Sequence, residues 1–184
     1  GFDADRPLLL VSGGSQGAVA INNATDAARA ELLAHGIDVL HVLGPKNLTD
    51  AHRVVTRPTT GARYVPVGYV DAMGQAYAAA DLMVGRSGAG TVIETATVGL
   101  PVVFVPLPHG NGEQARNADF LIDADAGVLV PNAELDGPRL LAEVLPLLTE
   151  PAKLDALRAR LAGLVPADAA ADLARIVLDA AGVR

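Results

Sequence analysis

The sequence predicts an α/β fold, a doubly wound parallel sheet with helices packed on both faces. Short apolar runs of strand length alternate with longer stretches of helical period along almost the whole chain. That alternation is how parallel strands joined by crossover helices are written in sequence. The 184 residues suffice for one domain with a real core and are too few for two large ones. At 51% hydrophobic and 19% charged, the chain has the apolar content to bury that core.

The elements follow in order. The chain opens on the linker-like GFDADRP, with residues 1–6 as the leading linker, and a start at Gly1 rather than Met is expected to mark a cut from a longer protein. Leu8 to Val11 is a buried strand ended by Ser12-Gly13-Gly14-Ser15-Gln16-Gly17. A helix is expected from Ala18 to Ala34, with Gly36 as its stop signal. Ile37 to Leu43 reads as a second strand, and Leu48 to Val55 as one or two helical turns before Pro58. Arg63 to Val67 is strand-like, with Pro66 near its end. Asp71 to Ala80 is a short Ala-rich helix, Leu82 to Val84 a strand, and a helix starts near Thr91. Val102 to Val105 is the next strand and feeds a helix near Glu113. Gly127 to Val130 is a sixth strand, and helices are expected over Ala133 to Leu148 and Pro151 to Leu161, the latter with Pro at its first position. Ala167 to Ala181 is a last amphipathic helix carrying Leu173, Ile176, Val177 and Ala180.

Composition narrows the function classes. A net charge of -7 offers no basic footprint for a phosphate backbone, and 3% aromatics leave few stacking platforms, so nucleic acid is not an expected partner. The absence of cysteine removes disulfides, thiolate metal sites and cysteine nucleophiles together, and fits a cytoplasmic protein. No apolar run approaches the roughly 18 residues that span a bilayer. Asp3-Ala4-Asp5 and Asp123-Ala124-Asp125 have the spacing of a cation-holding triplet, but neither has partner ligands nearby in sequence. No metal and no cofactor are expected.

Chemistry concentrates in Asp81 to Ala118 and in the earlier Gly-rich turn. GGSQG follows a strand and opens a helix, so exposed amides and the helix dipole favour an anion such as phosphate. It lacks the Lys-Ser/Thr ending of a P-loop and the spacing of a dinucleotide fingerprint. RSGAGT repeats the design, with Ser87, Gly88, Ala89, Gly90 and Thr91 at a helix start. Two such loops at the carboxyl ends of strands suit a diphosphate. Glu94, one turn beyond Thr91, would repel phosphate but could accept hydrogen bonds from ribose hydroxyls. His109-Gly110-Asn111-Gly112-Glu113-Gln114 then supplies a polar loop suited to sugar hydroxyls. Each motif has a plainer alternative: a tight packing turn, a Glu favoured by the helix dipole, and a surface connection. Of the four histidines only His109 falls in a candidate site; His35, His41 and His52 read as helix-end, strand and surface residues.

Three segments, VSGGSQGAVAIN (Val11 to Asn22), AYAAADLMVGRSGAGTVIE (Ala76 to Glu94) and GLPVVFVPLPHGNGEQARNA (Gly99 to Ala118), closely resemble the MurG family in its actinobacterial form. The resemblance covers the whole chain and implies the C-terminal, Rossmann-like, donor-binding half of a GT-B glycosyltransferase. That family moves N-acetylglucosamine from UDP-GlcNAc to the undecaprenyl-linked muramyl-pentapeptide of peptidoglycan, at the inner face of the plasma membrane. By resemblance, Gly14, Ser15 and Gln16 meet the diphosphate and sugar, and the Val70 backbone reads the uracil. Ala89, Gly90 and Thr91 hold the phosphates, Glu94 the ribose, and Glu113 and Gln114 the GlcNAc hydroxyls. Two positions depart from the family pattern: Gly90 stands where Leu or Met is usual, and Glu113 where Gln is common.

The resemblance further implies an N-terminal domain carrying the acceptor site, the membrane-facing patch and the candidate catalytic His, with the last helix (167–184) packing toward it. No catalytic residue is therefore expected within this chain, which alone should bind UDP-GlcNAc weakly and transfer nothing. Three other readings stay open from sequence: the donor subunit of a two-chain transferase, an epimerase-like enzyme, and a non-enzymatic nucleotide-sugar-binding module.

Overall fold

The apolar runs pair into one seven-stranded sheet. A computed structural model describes residues 2–109, 111–166 and 168–182. Its strands are β1 (Leu8–Ser12), β2 (Asp38–Val42), β3 (Val55–Thr56), β4 (Arg63–Val67), β5 (Leu82–Gly85), β6 (Val102–Phe104) and β7 (Val128–Leu129). They lie side by side in the order β3-β4-β2-β1-β5-β6-β7, all parallel except the β3–β4 pair.

Among the described residues there are seven α-helices, α1 (Val19–Ala34), α2 (Met73–Ala79), α3 (Ala89–Thr97), α4 (Glu113–Asp123), α5 (Gly137–Thr149), α6 (Pro151–Leu161) and α7 (Ala169–Ala180), of which α1 to α6 contribute to the core. A strand buried on both faces reads as a continuous apolar run, and the two faces sort by parity. Leu9, Val11, Leu82, Val84 and Val103 pack with Ile21, Ala28 and Leu32 of α1 and Leu140 and Val144 of α5. Leu10, Met83, Val102 and Phe104 face the other way, onto Tyr77 of α2, Val92 and Ala96 of α3, and Leu121 of α4. Helix α6 serves both layers, giving Leu154 to the first and Leu161 to the second.

The expected doubly wound fold is what the chain adopts, with three local corrections. Leu48 to Val55 forms turns and then the start of β3, not helical turns. The cause is a hairpin: Arg57 donates to the Ala62 carbonyl at 2.8 Å, and Gly61 donates back to Arg57 at 2.8 Å, which folds β3 antiparallel onto β4. The strand expected as the sixth is therefore the seventh. The helix expected from Ala133 begins at Gly137, because a 3₁₀ turn occupies Asn132–Glu134 and Asp136 caps the helix by accepting from Arg139 N at 2.7 Å. The leading segment is anchored: Arg6 pairs with buried Asp38 at 3.4 Å and with Asp3 at 2.8 Å. Helix α7 carries its apolar residues in the open, with Leu173, Ile176 and Val177 each more than half exposed. Its expected first residue, Ala167, lies outside the described residues, as do Gly110, Val183 and Arg184.

Candidate functional site

Strand order reverses between β1 and β5. From β1 the chain runs outward through β2 and β4; from β5 it runs the other way through β6 and β7. In open α/β sheets the crevice at the carboxyl ends of such a switch point is where ligands sit. Both glycine loops open there, because Ser12 at the end of β1 is register partner to Gly85 at the end of β5. Motifs some 70 residues apart in sequence thus leave neighbouring strands, roughly 5 Å apart.

The local backbone keeps this edge open to an anion. Gly14 has φ +84°, and a Cβ built on it meets nothing within 4 Å, so the space beside it is open. Gly17 is the opposite case: at φ +75°, a Cβ would lie 2.0 Å from the Leu43 carbonyl oxygen. One glycine leaves room for a ligand and the other lets the loop lie against the end of β2. Helices α1 and α3 start at Ala18 and Gly88 with no side-chain cap, so their first-turn amides stay available. By contrast α5 is capped by Asp136. Ser87 is fully buried beside the α3 start, and its Oγ has no hydrogen-bond partner among the described residues. Its carbonyl accepts from Asn117 Nδ2 at 3.0 Å, which ties α4 to the second loop. Arg86, whose guanidinium is lowered in pKa by burial, donates to the Val105 and Pro106 carbonyls at 2.9 Å each. One cation is thereby fixed between the ends of β5 and β6.

A cavity of about 170 Å³ lies at this edge, lined by residues that include Gly14, Ser15, Val70, Met73, Tyr77 and Thr91. Four residues expected from sequence, Gly14, Ser15, Val70 and Thr91, are brought together here. Ser87, Ala89 and Gly90 belong to the loop and helix start beside Thr91. Glu94 is exposed one turn further along α3, where Tyr77 Oη donates to its Oε2 at 3.2 Å. The side chain of Gln16 is solvent-exposed and does not line the cavity; its carbonyl accepts from Asn47 Nδ2 at 3.2 Å. His109 lies on the β6–α4 connection and Glu113 and Gln114 in the first turn of α4, all outside the cavity lining. Gln114 Oε1 accepts from Leu107 N at 2.9 Å, which fixes the side chain against the loop and leaves its amide NH₂ and one oxygen lone pair to offer a ligand.

Sequence reasoning missed Tyr77, Met73, Val42 and Met83, which give the cavity its apolar side. Their signal was weak: each reads as an ordinary core residue until topology places it at the strand ends. The polar support behind the first loop was also missed. His41, expected only as a strand residue, is fully buried and bonded to Asn22 Oδ1 (3.1 Å) and Tyr64 Oη (2.9 Å). Asn22 Nδ2 and Asn47 Nδ2 both donate to the Leu43 carbonyl, beside Gly17.

A family model described as the glycosyltransferase family 28 C-terminal domain matches residues 8–173. The chain belongs to that family. It is 61% identical over 181 residues to a UDP-N-acetylglucosamine--N-acetylmuramyl-(pentapeptide) pyrophosphoryl-undecaprenol N-acetylglucosamine transferase of Cutibacterium acnes, covering 98% of this chain and 48% of that protein. A protein of the same name from Nocardioides sp. is 50% identical over 179 residues, covering 97% and 48%. Among solved structures, MurG of Acinetobacter baumannii superposes with a TM-score of 0.67 at 27% identity, covering 86% of this chain and 46% of that one. This family 28 domain thus spans about half the length of the curated relatives it matches.

Proposed function

We propose that this domain is the donor-binding half of an inverting glycosyltransferase that moves N-acetylglucosamine from UDP-GlcNAc to an undecaprenyl-linked muramyl-pentapeptide. One observation carries the reading: two glycine loops leave adjacent strands at the switch point and start uncapped helices at the edge of a cavity. A diphosphate carries two charged groups in a row, and two neighbouring sets of free amides match it.

In this reading Gly14, Ser15 and Gln16 meet one side of the diphosphate and the sugar. Ser87, Ala89, Gly90 and Thr91 hold the other side. The Val70 backbone reads the base, Glu94 receives the ribose hydroxyls, and His109, Glu113 and Gln114 face the sugar. Charge builds on the diphosphate as UDP departs, so fixed amides and the positive ends of α1 and α3 stabilise the transition state more than the ground state. The base that deprotonates the acceptor, and the site that holds the acceptor, belong to the half of the protein outside this chain. The exposed Leu173, Ile176 and Val177 face of α7 supports packing against that half. Among the described residues no helix is long and apolar enough to cross a membrane; the whole enzyme would work from the cytoplasmic side, peripheral to the membrane that carries its acceptor.

An epimerase on a related fold needs acid/base groups at the anomeric end. Among the described residues lining the cavity there is no carboxylate and no histidine. The test is calorimetric titration with UDP. Glu94→Ala should weaken binding by about 1.5–3 kcal/mol, the scale of hydrogen bonds to a charged group, and unchanged affinity would remove the ribose role.

A further inference from the structure

We infer that Tyr77 is a positioning residue that fixes the Glu94 carboxylate for recognition of ribose hydroxyls. This inference rests on the ribose role proposed for Glu94. Glu94 stands exposed on α3, and an exposed glutamate has three rotatable side-chain bonds with nothing to order them. Tyr77 reaches it from α2, a different element, and is itself 6% exposed, so its ring is clamped in the layer of Val92, Ala96 and Phe104. A rigid donor therefore holds one oxygen of a mobile acceptor, with Oη–H donating to Oε2 at 3.2 Å.

The other carboxylate oxygen is left for a ligand. Oε1 lies toward Gly90, 3.7 Å from where a Cβ on that residue would stand, and no hydrogen bond described for the chain engages it. Burial, then the negative charge of Glu94, then the hydrogen bond between them push the Tyr77 phenol up to about 12. It stays an O–H donor across neutral pH, as the arrangement requires. Tyr77 lines the cavity together with Thr91, Val70 and Met73, and Glu94 lies just outside that lining, in the neighbouring groove that Tyr77 shares with Ile93 and Thr97. Nothing else among the described hydrogen bonds restrains the Glu94 side chain.

The discriminating experiment compares UDP with 2′,3′-dideoxy-UDP, which lacks both ribose hydroxyls, by NMR titration of this chain into the millimolar range. Tyr77→Phe keeps the ring and removes only the donor, and its circular dichroism melt serves as the folding control. The preference of the parent chain for UDP should fall about fivefold in Tyr77→Phe, the scale of one modest hydrogen bond, with dideoxy-UDP affinity unchanged. Glu94→Ala should abolish the preference, and adding Tyr77→Phe to it should change nothing further. An unchanged preference in Tyr77→Phe, or an equal loss for both ligands, would overturn the inference and leave the ribose reading standing. A preference retained in Glu94→Ala, or absent from the parent, would overturn the ribose reading itself and the inference with it.

Discussion

Acidification from pH 7 to pH 5 should cost this domain about 2 kcal/mol of folding stability through one side chain, His41. Burial pushes its imidazole from the ordinary 6.5 down to about 4, with nearby Asp26 opposing the shift only in part. The hydrogen bonds explain why the neutral ring fits. Asn22 spends its NH₂ on the Leu43 carbonyl, so its Oδ1 can only accept, and His41 Nε2–H must donate to it. Nδ1 is then the acceptor for the Tyr64 hydroxyl at 2.9 Å. A second ring proton would force Tyr64 to turn its own proton to Asp26, a poorer contact at 3.4 Å. Since the folded pKa lies below the unfolded one, the unfolded chain binds the extra proton between them. The contribution is therefore complete above pH 6.5 and is lost as pH falls toward 4. At about 1.4 kcal/mol per tenfold change, the gap between 6.5 and about 4 is worth about 3 kcal/mol, of which about 2 is gone by pH 5. Urea denaturation followed by circular dichroism between pH 7.5 and 5, on the parent and on His41→Gln, isolates this share from that of the carboxylates. Equal losses in the two proteins, or an imidazole that titrates near 6.5 in the folded chain by NMR, would refute the reasoning.

The two loop glycines should separate binding from folding. Gly14→Ala should cost only the strain of a left-handed residue, about 1–2 kcal/mol, yet weaken UDP-GlcNAc binding, because Gly14 lines the cavity and an added methyl would take up open space there; calorimetry with retained affinity would make GGSQG a packing turn. Gly17→Ala adds a clash with the Leu43 carbonyl to the same strain, and thermal melts should show a loss of about 2–4 kcal/mol. No group of three or more His, Asp or Glu that could hold a metal occurs among the described residues, so excess EDTA should leave UDP affinity unchanged in the same titration. A marked loss would point to a cation carried in with the diphosphate.

Much of this was legible because the central strands are written redundantly. Leu8 to Val11, Leu82 to Val84 and Val102 to Val105 are apolar at every position, since both faces are covered, and each ends at a Gly- or Pro-containing break. Edge strand β3 left no such mark: two exposed residues, Val55 and Thr56, gain their structure from the hairpin to β4, which no apolar pattern encodes. The start of α5 was misplaced although Asp136-Gly137-Pro138 spells a cap and a first-turn proline, because the apolar period seemed to begin at Ala133. At the site, the glycine loops and Glu94 could be found from residue chemistry alone. Tyr77 could not, because its partner lies 17 residues away on another helix and only the packing of α2 against α3 brings the two together. The His41 network was hidden for the same reason: its members come from α1, β2 and β4.

In the proposed function both glycine loops grip one nucleoside diphosphate-sugar. Amide chemical-shift mapping of the ¹⁵N-labelled chain during titration with UDP-GlcNAc tests it most directly. Saturable shifts should cluster at Gly14 and Ser15, at Ser87 through Thr91, and at Glu94, with smaller ones at Glu113 and Gln114. Shifts confined to one loop, or scattered over the opposite edge of the sheet around Arg6 and Asp81, would contradict it.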